Sequence, residues 1–222
     1  MSIYAMSDLH GCYNKFISMI NLIDFNETDE LYILGDIFDR GLNPLGILDY
    51  VLGHKNITLI KGNHEKMLEE YFESGNPILW FYNGGQSTHI QIMEKDYIYQ
   101  ETLYKYIKEL PIIKVVDKFI LVHAGLHFDK NCDDLELEEF LKQEEDICLW
   151  DRSNIGNEKK YRDYIVVCGH TPVQTINNDD DDYDLKIKIV DKTIYIDCGC
   201  VFEEANGKLA CLRLDDMKEF YV

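Results

Sequence analysis

The sequence predicts an α/β fold built on two sheets, from two observations. In the first third, short apolar runs alternate with helix-like segments in a β-α-β-α-β-α rhythm, which calls for parallel strands under covering helices. Beyond residue 110 strand signals dominate and turn residues separate the β-rich runs, which predicts a second sheet with more antiparallel pairing. A length of 222 residues suits one domain over 1–222 with a sizeable core, and no repeat or long linker marks a boundary.

Short runs rich in Ile, Leu and Tyr place strands at 3–7, 31–34 and 57–60. Between them, Phe16, Ile17, Ile20 and Ile23 recur at helical spacing over 13–24. Leu45, Leu48, Val51 and Leu52 do the same over 44–52, where Pro44 suits a first helical turn. A third short helix is expected at 65–72. The stretch 77–110 reads as helical and aromatic, broken by Asn83-Gly84-Gly85. Strands follow at 112–116, 119–123, 164–168, 185–190, 193–197 and 208–214, with Asp191-Lys192 and Asn206-Gly207 as hairpin turns.

Composition narrows the function classes. The formal charge is −19, with 46 % hydrophobic and 28 % charged residues, which are globular values. Such an acidic chain is a poor partner for nucleic acid or an anionic membrane, both of which attract basic faces. The start of the sequence shows no charged leader before an apolar core, and no apolar run approaches the roughly 20 residues of a membrane span. Seven cysteines without a CxxC pair read as reduced thiols in a cytoplasmic protein. Two segments, 129–146 at net −7 and 177–184 at net −5, hold 12 of the 19 excess negative charges. They read as solvated surface, and 179–182 lacks the glycine and distal glutamate of an EF-hand calcium loop.

Chemistry-bearing residues gather where strands end. Asp8-Leu9-His10-Gly11 follows the first strand, and in extended backbone residues two apart point the same way, so carboxylate and imidazole can meet one ion. Gly35-Asp36-Ile37-Phe38-Asp39-Arg40-Gly41 follows the second, concentrating two carboxylates and a guanidinium in a turn between glycines. Gly62-Asn63-His64-Glu65 follows the third and opens a helix, where Asn63 can either cap or serve a site. His123-Ala124-Gly125 and Gly169-His170-Thr171-Pro172 each place a histidine just past an apolar strand. Each fragment alone fits an ordinary turn, ion-paired loop or structural histidine. Five in this order at strand ends do not.

These motifs resemble those of the phosphoprotein phosphatase family of calcineurin-like metallophosphoesterases. Trp80-x-x-Asn83-Gly84-Gly85-x-x-Thr88 and Leu149-Trp150-Asp151-Arg152 make the chain similar to the bacterial and bacteriophage lambda phosphatase-like branch. The resemblance covers nearly the whole chain and implies a two-sheet β-sandwich flanked by helices, with a dinuclear metal site at strand ends. It implies Asp8, His10 and Asp36 as ligands of one metal, and Asp36, Asn63, His123 and His170 as ligands of the other. It further implies His64 as general acid, Asp39 as its orienting partner, and Arg40 and Arg152 as binders of the phosphoryl oxygens.

Elementary chemistry fits those roles. Two divalent ions about 3.5–4 Å apart can share a hydroxide, lower its pKa and clamp phosphorus for in-line attack. Mixed nitrogen and oxygen ligation suits manganese, with iron or zinc as alternatives. A carboxylate beside His64 is expected to raise its pKa and hold its ring. Two arginines supply forked donors matched to phosphate. The site is thereby cationic within an acidic chain, and the acidic segments, should they flank it, favour phosphopeptides with basic neighbours.

The activity implied is metal-dependent phosphomonoester hydrolysis, of the serine/threonine protein phosphatase kind, on a phosphorylated protein or peptide. The alternatives are a dinucleoside polyphosphate hydrolase, whose symmetrical members usually lose the aspartate corresponding to Asp39, and a non-catalytic phospho-binding scaffold, against which the full residue set argues. The sequence leaves oligomeric state open. Outside the motifs, Gly41-Leu42-Asn43-Pro44 replaces the family's Arg-Gly-Pro turn. His127 reads as a surface residue or a substrate contact, His54 and His89 as structural, and Cys12 as a small buried residue.

Overall fold

A computed structural model describes residues 1–129, 131–153, 155, 159–176 and 185–222. The first half runs β1 (Ile3–Met6), α1 (Tyr13–Leu22), β2 (Glu30–Ile33), α2 (Pro44–Gly53), β3 (Ile57–Leu59), α3 (Asn63–Ser74), α4 (Ile78–Tyr82), α5 (Gln86–Met93) and α6 (Tyr97–Lys108). Then follow β4 (Ile113–Val116), β5 (Phe119–Val122), α7 (Leu137–Phe140), α8 (Glu145–Trp150), β6 (Ile165–Cys168), α9 (Val173–Ile176), β7 (Lys188–Val190), β8 (Thr193–Tyr195), β9 (Ala210–Arg213) and β10 (Lys218–Tyr221). The acidic segment 177–184, with the calcium-loop question at 179–182, lies outside the described residues.

Two five-stranded sheets result, ordered β10-β9-β1-β2-β3 and β4-β5-β6-β8-β7. The expected parallel rhythm is present in β1, β2 and β3. The second sheet is not the more antiparallel one, contrary to expectation. Both are mixed: β9 and β10 run antiparallel on the first, while β5, β6 and β8 are parallel in the second. The chain returns after β8 to pair β9 with β1, matching Ala5 to Leu212 and Met6 to Cys211. Local sequence carries no signal for a pairing some two hundred residues apart.

That return also corrects the second hairpin. Asn206 takes φ 59 after a short 3-10 turn, Glu203–Ala205, inside a connection between sheets. The actual C-terminal hairpin joins β9 to the unexpected β10, with Met217 at φ 61. Asp191, at φ 48, does turn β7 into β8.

Strand alternation explains the layers. On β1, Tyr4 and Met6 join a buried cluster with Phe16, Met19, Leu48 and Leu68 of the covering helices, while Ala5 joins the cluster between the sheets. On β9, Cys211 faces the helices, and Ala210 and Leu212 face Val122, Val167 and Ile194 of the second sheet. Both faces of the first sheet are therefore dry, which is why its strands read as continuous apolar runs. With both faces covered, the open ground is at the strand ends.

Candidate metal centre and active site

The five predicted strand-end motifs converge, at the C-terminal ends of β1, β2, β3, β5 and β6, with β4 intervening in sequence. Three backbone hydrogen bonds lash the first loop to the second: Asp8 N to Gly35 O (3.2 Å), His10 N to Asp36 O (2.8 Å) and Gly11 N to Ile37 O (2.9 Å). The turns are built in left-handed backbone, with Asp8 at φ 53, His10 at φ 39, Asp36 at φ 58, Asp39 at φ 70 and Arg40 at φ 66. The extended-strand argument for Asp8 and His10 is thus superseded. These two reach a common cavity through turn conformations that concentrate strain at one place.

The cavity, of about 260 Å³, is lined by Asp8, His10, Asp36, Arg40, Asn63, His64, Arg152 and His170 among others. Asp36 is central. Its Oδ2 lies 3.7 Å from His10 Nε2 and 3.9 Å from His64 Nε2, and its Oδ1 lies 3.5 Å from His123 Nε2. Two groups have ligand atoms within 4.8 Å of one another: His10 with Asp36 and His64, and Asp36 with His123 and His170. Asp8 stands beside these groups. Its Oδ2 accepts from Ser7 Oγ and from the backbone N–H of His170 at 2.9 Å, joining the two sheets at the site.

The donor chemistry fits a cation. His123 donates from Nδ1 to Leu34 O (2.6 Å) and His10 from Nδ1 to Phe38 O (2.9 Å), which leaves each Nε2 as a lone-pair acceptor aimed inward. His123 Nε2 then faces only further acceptors, Asn63 Oδ1 at 2.8 Å and Asp36 Oδ1, while His170 Nδ1 lies 3.1 Å from the same Asn63 oxygen. Acceptors pressed together in a dry place suit a positive ion. Burial, first of all, holds His10 and His170 well below the ordinary histidine range, so both stay neutral and could donate to a metal. Burial followed by repulsion from Asp8 and Glu65 pushes Asp36 well up, a penalty that a cation relieves.

His64 projects from the first turn of α3. This helix starts at Asn63, two residues before the expected boundary, and its N-cap is Gly62, so the Asn63 side chain faces the site instead of capping. Glu65, buried, ties the arrangement together: Oε2 accepts from Asp36 N and Gly62 N, both at 2.8 Å, and Oε1 from Ile37 N at 3.0 Å. A Cβ on Gly62 would lie 2.3 Å from Asp36 Oδ1, so this helix start accepts only glycine.

His64 Nδ1 meets Asp39 Oδ2 at 2.6 Å, and the same oxygen accepts the Trp80 indole N–H at 2.8 Å. Asp39 N donates to Thr88 Oγ1 at 2.8 Å, and Arg40 N to Gly84 O at 3.1 Å. The Trp80–Thr88 motif is a clamp on the turn that carries Asp39 and Arg40. Its Gly85 packs where a Cβ would lie 2.5 Å from the Trp80 ring. The expected elevation of the His64 pKa is not found: burial lowers it well below the ordinary value, with Arg40 and His123 adding to the effect. Burial also pushes Asp39 up to about 7 despite the bonds from Thr88 and Trp80. Both shifts penalise separated charges, so one proton shared between the two is favoured.

Arg40 donates to His10 Nε2 (2.6 Å) and His64 Nε2 (3.0 Å), and Arg152 Nε to Thr171 Oγ1 at 3.2 Å. Both guanidinium groups reach the cavity from its rim. Asn43 caps α2 through Gly46 N, which accounts for the altered turn at 41–44. His127 is exposed beside Asp129, outside the cavity lining. His54 stacks on Tyr50 and His89 meets the Tyr71 hydroxyl, both structural as expected. Among the described residues, segment 129–146 does not line this cavity either.

Sequence reasoning missed Asp197 and Phe202 and took Trp150 only as part of the motif that carries Arg152; all three are in the lining. Asp197 is buried past β8, accepts from Gly199 N at 2.8 Å, and is pushed well up by burial and then by Asp8. Its signal was present: a carboxylate just past a strand with a glycine close by, as at Asp36. Cys12, expected to be buried, is half-buried, and its Sγ donates to His10 O at 3.7 Å.

The family model for calcineurin-like phosphoesterases matches residues 1–196. The symmetrical bis(5'-nucleosyl)-tetraphosphatase of Erwinia tasmaniensis is 31 % identical over 131 residues, 57 % of this chain and 45 % of that protein, so the chain spans less than half the length of that relative. Serine/threonine-protein phosphatase 1 of Salmonella typhimurium is 26 % identical over 216 residues, 96 % of this chain and 91 % of that protein. The solved structure of a candidate diadenosine tetraphosphatase shares the fold at TM-score 0.68 and 18 % identity, covering 99 % of this chain and 92 % of the other. Among the described residues no helix is long and apolar enough to cross a membrane.

Proposed function

We propose that this chain, which belongs to the calcineurin-like phosphoesterase family, is a divalent-metal-dependent phosphomonoester hydrolase acting on phosphoserine and phosphothreonine in proteins. The observation that carries the substrate class is the 2.6 Å contact of His64 Nδ1 with Asp39 Oδ2. An acid held this way serves an alkoxide leaving group, which needs a proton more than a nucleotide phosphate does. Near full-length similarity to a bacterial serine/threonine phosphatase supports the same reading.

Asp8, His10 and Asp36 would hold one metal ion, and Asp36, Asn63, His123 and His170 the other. Manganese is the first candidate, from the mixed donor set. When bound, such a pair supplies Lewis acidity that activates water and clamps phosphoryl oxygens. Arg40 and Arg152 orient the phosphate through forked donors. Once Arg40, which donates to His64 Nε2 in the free site, turns to the phosphate and that nitrogen takes up a proton, His64 would pass it to the leaving oxygen while Asp39 fixes the ring through Nδ1. Trp80 and Thr88 keep Asp39 in place, and Trp150 and Phe202 add aromatic faces to the cavity lining.

The test is turnover of phosphoserine peptides with added manganese, for wild type and His64→Asn. Loss in the variant supports the assignment, and full activity overturns the acid role. The second reading, a dinucleoside tetraphosphatase, has the 31 % identity to the Erwinia enzyme in its favour. A preference for diadenosine tetraphosphate over every phosphopeptide would establish it instead.

A further inference from the structure

We infer that the outer edge of β4, with the groove beside it, docks an extended acidic segment of the phosphoprotein substrate by adding it to the sheet as a strand. That the occupant is the substrate rests on the phosphatase reading; the docking itself does not.

β4 ends its sheet, and among the described residues its backbone bonds only to β5. Every second residue of such a strand aims its N–H and C=O away from the sheet, where they can pair with another chain. A cavity of about 650 Å³ lies against this strand and shares no lining residue with the metal-site cavity. Successive side chains of a strand alternate between its faces, so a cavity on one face would meet every second residue. This one meets Ile113, Lys114 and Val115 in succession, which places it along the edge itself. Lys61 N donates to Pro111 O at 2.8 Å, so the approach to β4 is pinned to the end of β3 and the edge is fixed before anything binds.

Charge selects the occupant. The two glutamates in the lining are already committed to lysines: Glu69 Oε2 lies 2.7 Å from Lys61 Nζ, and Glu145 Oε2 lies 3.4 Å from Lys66 Nζ. Lys108, also in the lining, pairs with Glu73 at 3.0 Å. Lys114 is exposed in the middle of the edge and has no carboxylate partner among the described residues, so it calls for one from the occupant. A lysine in that place also discourages a second copy of this chain from adding its own edge. Half-buried Ile113 and Val115, with Leu110 and Leu141, supply apolar contacts along the same groove. The segment that fits is therefore extended, with apolar residues around a central carboxylate. Main-chain bonds give it affinity, and the side-chain contacts give it specificity.

The probe is a fluorescein-labelled peptide, Ser-Val-Glu-Val-Thr-Ser, added to the full chain and followed by anisotropy. Wild type should bind it saturably. Lys114→Glu should weaken binding about fivefold or more, and the same peptide with lysine for glutamate should recover it. Amide hydrogen exchange should slow over Ile113–Val116 when the peptide binds. Joined to a phosphoserine peptide through Gly/Ser linkers of increasing length, the segment should lower KM about tenfold or more at unchanged kcat, and Lys114→Glu should cancel the gain. No saturable binding, equal binding by Lys114→Glu, or protection elsewhere than β4 would each overturn the inference. So would a dimer in light scattering with β4 protected before peptide is added, which would give the edge to a second copy. Binding with no effect on KM at any linker length, in protein that hydrolyses phosphopeptides, would overturn the assignment to substrate. Protein that hydrolyses no phosphopeptide would instead count against the proposed function, with anisotropy and exchange still deciding the groove.

Discussion

The Nδ1 atom of His64 lies 2.6 Å from Asp39 Oδ2, and Trp80 Nε1 holds that same oxygen from the other side at 2.8 Å. The imidazole is thereby fixed with Nε2 toward the cavity, while burial disfavours charge on either partner. An acid so placed parts with its proton readily once a leaving oxygen accepts it.

His64→Asn should therefore lower kcat on a phosphoserine peptide by about 10²–10⁴. The loss on para-nitrophenyl phosphate should be smaller, because that leaving group departs without a proton. Steady-state kinetics on both substrates decides it; equal losses would assign His64 to binding.

Asp39 should leave a pH signature on stability. Its carboxyl holds a proton up to about pH 7 in the folded chain, against an ordinary value of 3.8. Between those values the folded state binds more protons than the unfolded one, so stability of the metal-free protein falls as pH rises and levels off above about 7. Asp36, Glu65 and Asp197 are pushed up as well and act in the same direction. Thermal melts of metal-free Asp39→Asn from pH 4 to 8 should show a shallower decline than wild type. Parallel curves would mean that Asp39 stays ionised.

Glu65→Gln should destabilise the fold by about 1–3 kcal/mol. One carboxylate oxygen becomes an amide that faces backbone N–H groups instead of accepting from them. The Asp36 turn loosens, so metal content of the purified variant should fall along with its melting temperature. A variant with normal melting and normal metal content would show that Asp36 is held by other contacts.

Gly169→Ala probes the junction of the sheets. The new Cβ would lie 1.8 Å from Ser7 Oγ and 2.2 Å from Asp8 Oδ2. Overpacking of this kind costs about 1–3 kcal/mol, and here it must move Asp8 off the His170 amide. Reduced manganese affinity in calorimetry, with a lowered melting temperature, is the expected outcome. Unchanged values for both would place no demand on that contact.

Much of the fold and site was legible because both rest on local rules. Apolar runs marked nine of the ten strands found among the described residues, and glycine beside Asp36 and His64 marked the turns. The missed strand, β10, reads Lys-Glu-Phe-Tyr, too polar and short to stand out without its partner. Asn206-Gly207 had hairpin chemistry, yet its flanking strands belong to different sheets. Asp197 obeyed the strand-end rule but carried no motif that singled it out.

By itself the sequence determined which side chains offer ligand and acid chemistry, since those types are fixed by the residues, and that they lie at strand ends. Tertiary structure decided how they meet. The return of β9 to β1 made both sheets mixed and left their C-terminal ends as shared ground, a long-range pairing that no local pattern encodes. Burial decided the proton balance, reversing the expected direction for His64, because desolvation depends on what packs around a group and not on its neighbours in the chain.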